Sequence, residues 1–157
     1  MTQSFDHPKY YINREFSALA FNDRVLHLAQ DERIPILERM RFLCICSGNL
    51  DEFFEIRVAG LKEKIAVSSQ KLSIDGLPPK DVLLELSNKT HVLINRLYQI
   101  FNTNLMPGLR KENIHFYDVS EWNDDIHMWA KHFFKNEVMP IVSPIALDLA
   151  HPFPRLF

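Results

Sequence analysis

The longest apolar stripe in the sequence lies between Pro79 and Leu105, where Val82, Leu83, Leu86, Leu93, Leu97, Ile100 and Phe101 recur at helical spacing. One face of a helix that long cannot remain in water, so other helices must pack against it. The candidates come earlier in the chain. From Arg14 to Gln30, Phe16, Leu19, Ala20, Val25, Leu26 and Ala29 follow a helical repeat, with a bend expected near Phe21 and Asn22. Pro35 opens a second stripe of Ile36, Leu37, Met40, Leu43 and Cys44, and Ser47-Gly48 is expected to end it. Asn49 then reads as the N-cap of a third helix, with Glu52 three residues on as in a capping box. Phe53, Phe54, Val58, Leu61 and Ile65 form its buried face. A polar stretch with an Asp75-Gly76 turn leads to Pro78-Pro79, and Pro107-Gly108 is expected to kink or end the long fourth helix.

After Lys111 the texture changes. Ile114-His115-Phe116-Tyr117 reads as a short strand, and Trp122, Ile126, Trp129, Ala130, Phe133 and Phe134 mark an amphipathic helix. Ile141, Val142, Ile145 and Leu147 read as a second strand interrupted by Pro144. Strand, helix and strand open an α/β unit that does not finish within the sequence. The expected fold is mainly α: an antiparallel helical bundle over residues 1–110, then an incomplete α/β segment over 111–157. The chain is expected to be the N-terminal piece of a longer protein.

Composition narrows the function. Of the 157 residues, 46% are hydrophobic and 24% charged, as in a globular protein, and the net charge of −2 argues against a nucleic-acid binder. No apolar run is long enough to span a bilayer, and MTQSFDHPKYY carries no secretory signal, so the chain reads as cytoplasmic. Cys44 and Cys46, one residue apart in a helical pattern, cannot bridge without strain and read as reduced core thiols.

Motifs for self-contained chemistry are missing. Neither GxxxxGK[ST] nor GxGxxG occurs, and the four glycines are Gly48, Gly60, Gly76 and Gly108. None of the seven histidines has HExxH spacing; the single Glu-x-x-His, Glu112 to His115, lacks the further carboxylates of a di-metal bundle. No catalytic or metal residue is therefore assigned, and His27 and His91 read as surface or helix-edge residues. Two constellations remain. At the Ser47–Glu52 junction, the Asn49 amide can both donate and accept, as an adenine edge requires, or it can be a plain cap. Arg39, Arg41 and Arg57 suit phosphate chains, or they form a solvated face paired with Glu38 or Glu55.

The segments YINREFSALAFNDRVLHLAQ and PILERMRFLCICSGNLDEFFEIRVAGLKEKI closely resemble the N-terminal domain of the bacterial polyphosphate kinases, the ATP-polyphosphate phosphotransferases. The tail PIVSPIALDLAHPFPRLF resembles the start of that family's head domain. The resemblance covers nearly the whole chain, and NLDEFF followed by IRVAGL is its most specific part. It implies an enzyme that reversibly moves the terminal phosphoryl of ATP onto polyphosphate through a phosphohistidine, with Mg2+, and that forms homo-oligomers when full length. The catalytic histidines and metal ligands are implied to lie on C-terminal domains, so none falls here and His151 is not a nucleophile. Asn49 aligns with an Asn that contacts ATP near the adenine. Arg39, Arg41 and Arg57 fall in family-like positions without an assigned contact. The resemblance leaves membrane association of the parent enzyme open. Two departures stand out: Phe16 and Ala18 replace Leu and Trp in ELSWLxFN, which bears on local packing, and Gly48 replaces Ser or Asn before Asn49. A free-standing helical interaction module without catalysis is the alternative from another class; it explains the helical stripes equally well, but not the unfinished α/β segment.

Overall fold

Asn13 starts the first helix. Its Oδ1 accepts a hydrogen bond from the Glu15 backbone N–H at 3.0 Å, while its Nδ2 reaches across to Asp75 at 3.2 Å. In the computed structural model, which describes residues 7–68 and 71–145, helix α1 then runs over Arg14–Gln30 without interruption. The bend expected at Phe21 and Asn22 does not occur. Asn22 is buried and finds a side-chain partner on the next helix, so it has no reason to compete for the α1 backbone.

A short turn follows α1. The Asp31 carboxylate is held down to about 2 by hydrogen bonds from the Arg33 side chain and backbone, the shortest at 2.6 Å. Helix α2, Ile36–Glu52, does not stop at Ser47-Gly48 as expected. It continues through a π-helical segment, Phe53–Val58, into α3, Ala59–Ala66, as one rod. A single interior glycine costs a helix only about 1 kcal/mol, and the buried series Leu43, Cys46, Leu50 and Phe53 gains more by staying continuous. Because nothing lies within 4 Å of a Cβ built on Gly48, the Gly48→Ala variant should be more stable by about 0.5–1 kcal/mol. Denaturant melts of the two proteins check this.

The second long rod behaves in the same way. Helix α4, Pro79–Ile100, passes through a π-helical turn, Phe101–Leu105, into α5, Met106–Lys111. Pro107 sits in the first turn of α5, where the missing N–H is tolerated, so neither it nor Gly108 ends the rod. A Cβ on Gly108 would lie 2.9 Å from Ile36 Cδ1 on α2, so any other residue there would make the tip of the Ile36 side chain shift.

The contacts fix the directions of the helices. Arg39 bonds Ala29, Cys46 bonds Asn22, and Arg57 faces Glu15, so residue numbers rise on α2–α3 as they fall on α1, and the two run antiparallel. Lys89 lies 5.6 Å from the Phe16 ring and Arg96 pairs with Asp23 at 2.6 Å, so α4 runs parallel to α1. The shared core includes Leu26, Leu86, Ile100 and Leu105, all fully buried. Leu37, Cys44 and Phe54, expected on buried faces, are exposed.

The chain divides into two compact units, Met1–His115 and Phe116–Phe157. In the second, Asn123 Oδ1 caps α6, Asp124–Phe133, by accepting from the Ile126 N–H at 2.9 Å. A π-helical turn, Phe134–Val138, continues it. No strand occurs among the described residues, which corrects the strand expected at Ile114–Tyr117. A strand persists through its ladder, and no described segment runs alongside this one to complete it. Ile141 lies in a turn and Val142 to Ile145 have no regular structure, while Leu147 falls outside the described residues. No helix among the described residues is long and apolar enough to cross a membrane.

Candidate functional site

Asn49 is not a cap. It lies inside α2, one turn before the π-helical segment, and its Nδ2 donates to Asn22 Oδ1 on α1 at 2.9 Å. That bond uses one of the two amide hydrogens. The second N–H and Oδ1 have no protein partner among the described residues, and the side chain lines an open groove between α1 and α2–α3. The capping-box reading fails because the helix is already running: a residue with more than three turns behind it has no orphan backbone N–H groups to cap.

The groove encloses about 840 Å³. Cations surround it: Arg14 and Arg24 from α1, Arg57 from the π-helical segment and Lys64 from α3, against the carboxylates of Glu15 and Glu52. Glu15 is nearly buried and gathers two of these cations, with Arg14 Nε at 3.0 Å and Arg57 Nη1 at 3.9 Å. Its carboxylate therefore holds two guanidinium groups at the groove while cancelling only one of their charges. The π-helical segment matters here. Each residue of an α-helix turns the face by about 100°, so the wider turn resets which side chains of 53–58 meet α1. Phe21 and Ile56 add exposed apolar surface to the walls, suited to a flat ring.

The three arginines singled out by sequence separate in the structure. Arg57 lines the groove. Arg39 is buried, with Nε donating to the Ala29 carbonyl at 2.9 Å, where it satisfies one of the open carbonyls at the end of α1. Arg41 is exposed and faces Glu38 on its own helix at 3.9 Å. Sequence reasoning missed Arg14, Arg24, Lys64 and Glu15. For Arg14 the signal was a shared α1 face at Arg14, Ala18 and Phe21, one turn apart, which becomes visible once α2 is known to cross that face. Ala18 also lines the groove, so its departure from the family pattern bears on the site more than on the packing around Phe16.

Remaining candidates take structural roles. His27 and His91 are exposed, each with Nδ1 2.7 Å from the carbonyl four residues earlier. Among the described residues no three His, Cys, Asp or Glu side chains converge as a metal site. The two thiols differ. Cys44 is exposed, contrary to the expectation of two core thiols, because it falls on the outward side of α2. Cys46 is fully buried with its Sγ donating to the Asn22 carbonyl at 3.6 Å, and burial pushes its thiol up to about 11. Iodoacetamide at neutral pH should therefore alkylate Cys44 in the native chain and reach Cys46 only after unfolding. Peptide mass spectra with and without denaturant check this.

Residues 11–117, more than half of the chain, match the family described as polyphosphate kinase N-terminal domain. The chain is 47% identical over 151 residues to a polyphosphate kinase of Pseudomonas aeruginosa, and 46% identical over 151 residues to that of Pseudomonas putida. A polyphosphate kinase of Burkholderia ambifaria is 43% identical over 145 residues. These alignments cover 96%, 96% and 92% of this chain, but 22%, 21% and 21% of the relatives. The chain thus spans about a fifth of the length of the curated relatives it matches. No solved structure matches it. The chain belongs to the polyphosphate kinase N-terminal domain family.

Proposed function

We propose that this chain forms one wall of the ATP site of a polyphosphate kinase, with Asn49 contacting the adenine edge. In this reading the parent enzyme moves the terminal phosphoryl of ATP reversibly onto polyphosphate through a phosphohistidine carried on further domains. The 157 residues alone transfer no phosphate. The reading rests chiefly on one observation: the Asn49 amide stands on a cation-lined groove with an acceptor and one N–H uncommitted to protein. Arg57, Arg14, Arg24 and Lys64 supply the positive field a triphosphate or polyphosphate chain needs near the base. In this reading Mg2+, which screens phosphate charge when bound, would be held by groups on the further domains.

The test is the KM for ATP of the full-length enzyme carrying Asn49→Ala. A neutral hydrogen bond contributes about 0.5–1.5 kcal/mol, so KM should rise about threefold to tenfold. The KM for polyphosphate in the reverse direction should change little. KM is read on folded protein, so a modest loss of stability does not mimic this result. An unchanged KM for ATP would count against the proposal and favour the free-standing interaction module, for which the exposed Met128, Trp129 and Phe133 on α6 offer an apolar face.

A further inference from the structure

We infer that the π-helical turn Phe53–Val58 serves the groove and not the core: it brings both Ile56 and Arg57 to the groove wall, where an unbroken α-helix would present one of them. The inference rests on the nucleotide reading of the groove given above. Buried positions along α2 are Arg39, Leu43, Cys46, Leu50 and Phe53, at the alternating steps of four and three that one face of an α-helix requires. The next buried residues are Val58 and Leu61, and the step from Phe53 to Val58 is five. A step of four would instead place Arg57 on the core face. The π turn absorbs the additional residue, with the Ala59 N–H donating to the Phe54 carbonyl five residues back.

The groove shows what that residue adds. Asn49, Glu52, Phe53 and Ile56 line it at i, i+3, i+4 and i+7, the spacing of one α-helical face. Arg57, Gly60, Leu61 and Lys64 line it at the same spacing, one residue out of step with the first series. Only the π turn lets both series face one groove, and they meet at Ile56 and Arg57. Both side chains are open to a ligand: Ile56 is 62% exposed and the Arg57 side chain 43%. Aliphatic surface for a base ring and a guanidinium for a phosphate thus stand at consecutive positions. The other rod supplies a comparison. There the core steps by five from Ile100 to Leu105 across Phe101–Leu105, and the Met106 N–H donates to the Phe101 carbonyl, but this turn does not line the groove.

Single-residue deletions test the inference. In the 157-residue chain, deletion of Ile56 should leave helical content and the urea midpoint nearly unchanged, because Val58 and Leu61 come into α-helical step with Phe53. Deletion of Asn102 should be tolerated likewise, since it brings Leu105 into step with Ile100. Deletion of Ser47, within α2, should unfold the helical unit, because it turns one part of the core series against the other by about 100°. In the full-length enzyme, deletion of Ile56 and Ile56→Ala should each raise the KM for ATP at least about fourfold, the contribution of one covered methylene group. Deletion of Asn102 should leave that KM unchanged. The inference is overturned if deleting Ile56 unfolds the chain, or if deleting Ser47 is tolerated equally well. It is also overturned if the KM for ATP is unaltered on deleting Ile56 while Asn49→Ala raises it, which leaves the nucleotide reading standing. An unaltered KM in Asn49→Ala as well would remove the nucleotide reading and this inference with it.

Discussion

Leu26→Ala should lower the unfolding free energy of the helical unit by about 2–5 kcal/mol, the range for truncating a buried leucine to alanine. Leu26 is fully buried on α1, the helix that packs against both α2 and α4, so its side chain belongs to the core shared by the three rods. The surrounding helices are held by their own contacts and cannot simply close the gap. Urea or guanidinium unfolding followed by circular dichroism measures the loss. In the full-length enzyme the same change should leave the KM for ATP unaltered, because Leu26 does not line the groove.

The second large effect separates a structural arginine from one at the site. Arg39→Ala should cost about 1–3 kcal/mol of stability, because it orphans the Ala29 carbonyl and removes a buried charged hydrogen bond. It should leave the KM for ATP unchanged in the full-length enzyme. Arg57→Ala should do the reverse. Arg57 is about two-fifths exposed and its ion pair with Glu15 is long, so little stability depends on it, whereas the groove loses a cation. Denaturant unfolding and ATP kinetics on both variants check the pair. Equal loss of stability in both, with KM unmoved in Arg57→Ala, would argue that neither arginine serves a ligand.

Much of the helical unit was legible because its stripes are long. Val82, Leu86, Leu93, Leu97 and Ile100 are buried as their spacing requires. The gap in that stripe between Leu86 and Leu93 is filled by Thr90, 2% exposed, whose Oγ1 is buried without a hydrogen-bond partner. A polar residue type hid that position from the apolar pattern. Helix ends were harder to read. Ser47-Gly48 and Pro107-Gly108 are strong local stop signals, yet both helices pass through them. Tertiary burial of Cys46, Leu50 and Phe53 outweighs one glycine, and the π-helical turn before Met106 lets Pro107 fall where its missing N–H costs little.

Asn49 was found for a residue type that suits a base edge, but its placement rests on a different local structure from the one expected. A cap and a mid-helix amide are both made by Asn, and only the partner 27 positions earlier tells them apart. Lys64 could not be joined to Arg14 and Arg24 from sequence because it comes from α3 and they come from α1, and the three line one groove only when α1 and α2–α3 are laid antiparallel.

The central claim is that Asn49 faces the base of ATP across the groove between α1 and α2–α3. A crystal structure of the full-length enzyme with a non-hydrolysable ATP analogue tests it most directly. The account predicts an adenine edge within hydrogen-bond distance of Asn49, the Asn49–Asn22 bond retained, and phosphates on the side of Arg57 and its neighbouring cations. A base bound elsewhere, with the Asn49 amide turned away from the nucleotide, would contradict it.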